Sequence, residues 1–127
     1  NLKVVPGSYS IFQLEPSAPL PKTILESSFF NISKTGEELS IVCLSELAPT
    51  VVPTETEFAL IKVEGPLDFS LTGILASLAN PLAEAKISIF AISTFDTDYL
   101  LVRCPQLGKA KQVLEQNKFQ FIDSSPV

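Results

Sequence analysis

The sequence of 127 residues contains no histidine. It therefore lacks the commonest metal ligand and the side chain that most often moves protons near neutral pH. Cations are scarce: nine Lys and Arg against fourteen Asp and Glu leave a net charge of −5. That is the wrong sign for nucleic acid or an anionic membrane surface, both of which attract basic proteins. No apolar run approaches the ~20 residues that cross a bilayer; one of the longest, Ile87–Ile92, is interrupted by Ser88. The opening residues, NLKVVPGSYS, lack the charged, then apolar, then small order of a signal peptide, so none is expected. Cysteine is limited to Cys43 and Cys104, both at ends of strand-like segments. They read as buried free thiols in a reducing, cytoplasmic setting. Gly65 and Gly73 form no phosphate-binding loop, because the G-x-G-x-x-G and G-K-S/T patterns are absent.

What is present suits a globular domain: 46% apolar and 18% charged residues, in a chain long enough to bury roughly two-thirds of its unfolded surface. Ser8–Leu14 alternates and predicts a strand starting after a Pro6-Gly7 turn. Three prolines keep Glu15–Pro21 extended or looped. Lys22–Ser28 has room for two helical turns at most. Phe29–Ser33 and Leu39–Leu44 predict an antiparallel hairpin around Lys34-Thr35-Gly36-Glu37. Ala48–Glu57, with two prolines and no periodicity, reads as a linker.

A cleaner pattern follows. Phe58–Val63 predicts a strand. Leu71, Ile74, Leu75, Leu78 and Leu82 share one helical face, with Asp68 or Ser70 as cap and Pro81 expected to kink or end the helix. Ile87–Thr94 and Tyr99–Cys104 are strands around the turn Phe95-Asp96-Thr97-Asp98. Pro105 opens a second helix facing the core through Leu107, Ala110, Val113 and Leu114, with Asn117 as C-cap. Phe119–Ile122 is a last short strand. The order β-α-β-β-α-β predicts an α+β, ferredoxin-like sandwich. The first half looks like a truncated version of the same unit. The expected organisation is an N-terminal half at 1–50, a linker at 51–57 and a C-terminal domain at 58–127. Ile87–Thr94 is apolar on both faces, which predicts that its far side is covered by the other repeat or a second subunit.

Two features suit a small zwitterion. The helix start at Asp68-Phe69-Ser70 offers unpaired N–H groups and about half a positive charge, and glycine at 73 permits close backbone approach. Asp96 and Asp98 on a turn match an ammonium or guanidinium. The plainer readings stand beside these: a helix cap at Asp68 or Ser70, and turn-forming aspartates at 96 and 98.

The stretches Gly65–Leu75, Pro81-Leu82-Ala83 and Ile92-Ser93-Thr94-Phe95-Asp96-Thr97-Asp98-Tyr99 together resemble an ACT domain. The chain is similar to small bacterial paired-ACT proteins and to the CASTOR-type arginine sensors of animals. Leu2–Leu14 and Thr35–Cys43 resemble the opening strand and central segment of that subfamily. The resemblance implies two tandem ACT-like units and an allosteric, amino-acid-binding regulator of the kind found on aspartate kinases. It implies a homodimer; no cofactor or metal is expected. It assigns the ligand carboxylate to Asp68, Phe69, Ser70, Leu71, Thr72 and Gly73. It assigns the amino group or a cationic side chain to Thr94, Phe95, Asp96, Thr97 and Asp98, with Ser88 and Ile89 of a neighbouring unit closing the site. Arginine is one ligand it suggests, and a regulated enzyme or protein target is a further partner. The competing reading is a structural or interaction module with vacant sites. Catalysis is not expected, since no nucleophile or base accompanies the carboxylates.

Overall fold

The computed structural model describes residues 1–49, 52, 54–64 and 73–122. Its elements are β1 (Leu2–Leu14), α1 (Lys22–Leu25), β2 (Asn31–Lys34), β3 (Leu39–Leu44), β4 (Thr54–Val63), α2 (Ile74–Glu84), β5 (Phe90–Ser93), β6 (Asp98–Arg103) and α3 (Leu107–Gln116). The architecture is α+β with antiparallel sheet, as expected. Two compact units form, Gly7–Phe58 and Asn1–Pro6 with Ala59–Val127. Thr54–Glu57, expected in a linker, lie in β4.

In the unit Gly7–Phe58 the strand order is β2-β3-β1. Both pairs are antiparallel, with Asn31 opposite Val42 and Phe12 opposite Ile41. Side chains alternate across a pleated strand, so Leu39, Ile41 and Cys43 share a face and bury with Phe12 and Ile24. Tyr9 meets Phe29 edge-on, with ring centroids 5.8 Å apart. The expected Pro6-Gly7 turn is absent; β1 runs through it. Gly7 takes φ +108, and a Cβ there would stand 2.9 Å from Leu44 Cδ2. The glycine therefore carries a close strand crossing where a local reading sees a turn.

In the other unit the order is β1-β4-β6-β5. Ala59, Ile61 and Val63 of β4 and Leu100 and Val102 of β6 pack with Leu78 and Leu82 of α2 and Ala110 and Leu114 of α3. Leu107 and Val113 of α3 pack against this cluster, as their spacing predicts. Pro81 does not stop α2, which continues to Glu84. Both helices end in the same way. Ile87 N–H and Lys86 N–H donate to Leu82 O and Ala83 O, and Phe119 N–H and Lys118 N–H to Leu114 O and Glu115 O. These are paired Schellman closures, with left-handed lysines at φ +62 and +73 where glycine is usual.

The last predicted strand reduces to one parallel bridge, Phe121 beside Leu2. Leu2 N–H donates to Gln120 O and Ile122 N–H to Leu2 O, while Glu64 N–H donates to Asn1 O. The chain start thus occupies the place beside β4 that the closing strand was expected to fill. Within the single chain, burial on both faces is found in β4 and β6, where Leu60, Ile61, Leu100 and Leu101 are fully buried. β5 is the edge strand and leaves Phe90 and Ala91 exposed. Of the two thiols Cys43 is buried, but Cys104 is exposed because it leaves β6 for the turn before α3.

Candidate functional site

The hairpin of β5 and β6 pairs Ser93 with Asp98 and leaves Thr94, Phe95, Asp96 and Thr97 as its tip. The tip is locked from within. Thr94 N–H and its hydroxyl donate to Thr97 O at 2.8 and 3.0 Å, and Thr97 N–H donates back to Thr94 Oγ1 at 3.2 Å. Threonine suits this role because its short hydroxyl mimics a turn of backbone. Thr97 also turns inward: it is only 8% exposed, and its hydroxyl donates to Val63 O at the end of β4. The hairpin tip is thereby pinned to the strand end from which the chain leaves toward α2.

The carboxylates stand outside this lock. Asp98 Oδ1 accepts from Ser93 Oγ at 2.6 Å, and Asp96 is exposed on the tip beside Phe95, which is 78% exposed. This presents two anionic side chains on a rigid loop, suited to hydrogen-bonding a cation. No group of three or more His, Cys, Asp or Glu is gathered among the described residues.

The helix part of the expectation shifts. α2 starts from Gly73, in the left-handed region at φ +81, and not from a cap at Asp68 or Ser70. Gly73 brings no side-chain oxygen to the first turn, and no acidic residue lies in that turn. The N–H groups of a helix's first turn are the donors an anion site uses. Among the described residues, its chain neighbours aside, no atom lies within 4 Å of where a Cβ at Gly73 would stand, and its φ of +81 is the conformation that favours glycine. Asp68, Phe69, Ser70, Leu71 and Thr72 lie outside the described residues.

Ser88 and Ile89 precede β5, at the end away from the tip. Five residues of extended chain separate Ile89 from Thr94, about 16 Å. A single copy of this hairpin therefore does not bring Ser88 and Ile89 to Asp96 and Asp98. What sequence reasoning missed is the inward turn of Thr97 and the Ser93–Asp98 bond. A hydroxyl at hairpin position 97 reads as a surface residue until the β4 carbonyl is placed beneath it.

Comparison with known proteins gives two family matches: the ACT domain over residues 54–116 and an N-terminal domain family over residues 7–51. The human cytosolic arginine sensor for mTORC1 subunit 1 is 33% identical over 110 residues, 80% of this chain and 32% of that protein. This chain therefore spans about a third of that relative's length. A crystal structure of an Agrobacterium tumefaciens protein is 37% identical, with TM-score 0.91 over 98% of this chain and 92% of the other. The regulatory subunit of aspartate kinase from Thermus thermophilus shares the fold at 9% identity, with TM-score 0.64 over 92% and 97% of the two chains.

Proposed function

Since this chain belongs to the ACT domain family, whose relatives here are regulatory and sensor proteins, we propose that it senses a free amino acid, bound where two ACT units of partner copies meet. The ligand carboxylate sits at the start of α2 and the preceding loop, Asp68 to Gly73. The ammonium, or a basic side chain, meets Asp96 and Asp98 on the tip formed with Thr94, Phe95 and Thr97. Ser88 and Ile89 of the second copy close the site, and the working form is a cytoplasmic homodimer. One observation carries the reading. Thr97 ties the acidic tip to the end of β4, the strand that precedes α2, and no acidic residue lies in the first turn of that helix. An acidic tip and a helix start carry the opposite charges that the two ends of a zwitterion call for. The ligand acts by binding one conformation or assembly more tightly than another.

A thermal-shift screen of all twenty amino acids at millimolar concentration tests this. A ligand at 100 times its Kd stabilises by ~2.7 kcal/mol, several degrees for a domain of this size. One amino acid is expected to raise Tm, and the Asp98→Ala variant to fold but lose that shift. Failure of every amino acid on ligand-free protein would instead support an interaction module without a ligand. That reading draws on the internal commitment of the Thr94 and Thr97 hydroxyls.

A further inference from the structure

A second concavity lies in the unit Gly7–Phe58. It holds about 460 Å³ and is lined by Gln13, Leu14, Glu15, Ala18, Glu37 and Val52, a volume within the usual range of binding clefts. We infer that this groove docks a basic, leucine-bearing peptide segment of a partner protein. The inference is independent of the amino-acid site.

The groove is built, not incidental. Leu14, Ala18 and Val52 are half-buried and pack against the core of Phe12, Ile24, Leu39, Ile41 and Cys43, so the floor is apolar and continuous with a rigid cluster. The walls are held by local bonds. Leu14 pairs with Leu39, and Ala18 N–H donates to Glu15 O at 3.0 Å. Thr35 Oγ1 accepts from Glu37 N–H and Glu38 N–H, both at 3.1 Å, fixing the turn that carries Glu37. Thr54 Oγ1 donates to Val52 O at 2.8 Å.

Charge selects the occupant. This unit contains seven glutamates against Lys22 and Lys34, so it carries a net −5, while the rest of the chain balances seven acids with seven bases. The whole chain's charge is thus concentrated on the unit that holds the groove, and Glu15 and Glu37 stand exposed on its walls. A free amino acid would bring its own carboxylate into this field, with no cationic residue among the described lining residues to receive it. A residue inside a peptide brings none. A lysine or arginine can lay its aliphatic stem along Leu14, Ala18 and Val52 while its head meets Glu15 or Glu37, and a neighbouring leucine fills the remaining apolar floor. Complementary charge also concentrates such a partner near the surface before docking.

The test titrates the full chain into fluorescein-labelled, end-blocked Lys-Leu-Lys-Leu-Lys, read by anisotropy. Saturable binding is expected. Glu15→Gln with Glu37→Gln should weaken it about tenfold, two partly exposed charge pairs of ~0.7 kcal/mol each. Glu26→Gln with Glu46→Gln removes the same charge from the same unit outside the groove and should change affinity by less than about twofold. Replacing the peptide's leucines by glycine should also weaken binding several-fold. Equal losses in the two double variants would reduce the effect to diffuse attraction and overturn the inference. So would indifference to the leucines, or no binding with the chain at millimolar concentration.

Discussion

Thr97→Val is the most exacting test of the hairpin. Valine nearly matches threonine in shape and replaces the hydroxyl by a methyl group. In the folded chain that hydroxyl is buried and donates to Val63 O. Its loss removes a hydrogen bond worth about 1 kcal/mol net and deprives a carbonyl at a water-poor site of that donor, so a cost of roughly 1–3 kcal/mol is expected. At 127 residues this lowers Tm by about 4–10 °C. Thr94→Val removes bonds at an exposed position, where water can take the place of the hydroxyl, and should cost less than about 1 kcal/mol. Urea unfolding measures both. Hydrogen exchange adds a local readout: the Thr94 amide, bonded to Thr97 O, should exchange faster in the Thr97 variant as the tip comes loose from β4. A Thr97→Val protein within 1 °C of the parent (under ~0.3 kcal/mol), or one no less stable than Thr94→Val, would refute the pinned-tip account and the proposal built on it.

Two further outcomes follow from single residues. Gly73→Ala places a Cβ at φ +81, with no described residue beyond its chain neighbours within 4 Å of it, and should cost about 1–2 kcal/mol from backbone strain; unfolding free energy reads it directly. Burial pushes the Cys43 thiol up from 9.0 to about 11. The unfolded chain therefore loses this proton first, and stability present below pH 9 falls as pH rises toward 11, by about 2 kcal/mol at pH 10.5. Comparing the pH dependence of urea midpoints for the parent and Cys43→Ala isolates that part.

Much of the architecture was legible because its signals are local. Leu78 and Leu82 repeat at helical spacing, Leu39, Ile41 and Cys43 alternate, and these residues form the two cores. Signals that depend on a distant partner were misread. Pro6-Gly7 carries turn chemistry, but Gly7 is spent on the close approach of Leu44. Phe119–Ile122 reads as a strand, but Leu2 already holds the place beside β4, and only the bridge at Phe121 remains. At the candidate site the acidic turn could be read from its residues. The division of labour within it could not, because Thr97 owes its buried role to a carbonyl supplied by Val63, far away in sequence.

The seating of Leu2 bears on synthesis. Its partners, Gln120 and Ile122, lie roughly 120 residues further along the chain, so at about 5–20 residues per second of synthesis the place of Leu2 stays unfilled for many seconds. Residues 7–58 are contiguous and have their partners early. The unit that brackets them joins segments from either side of residues 7–58, and closing a loop of roughly 120 residues costs about 4 kcal/mol of chain entropy. That cost falls on the contact of Leu2 with the segment around Phe121 and not on the contiguous unit.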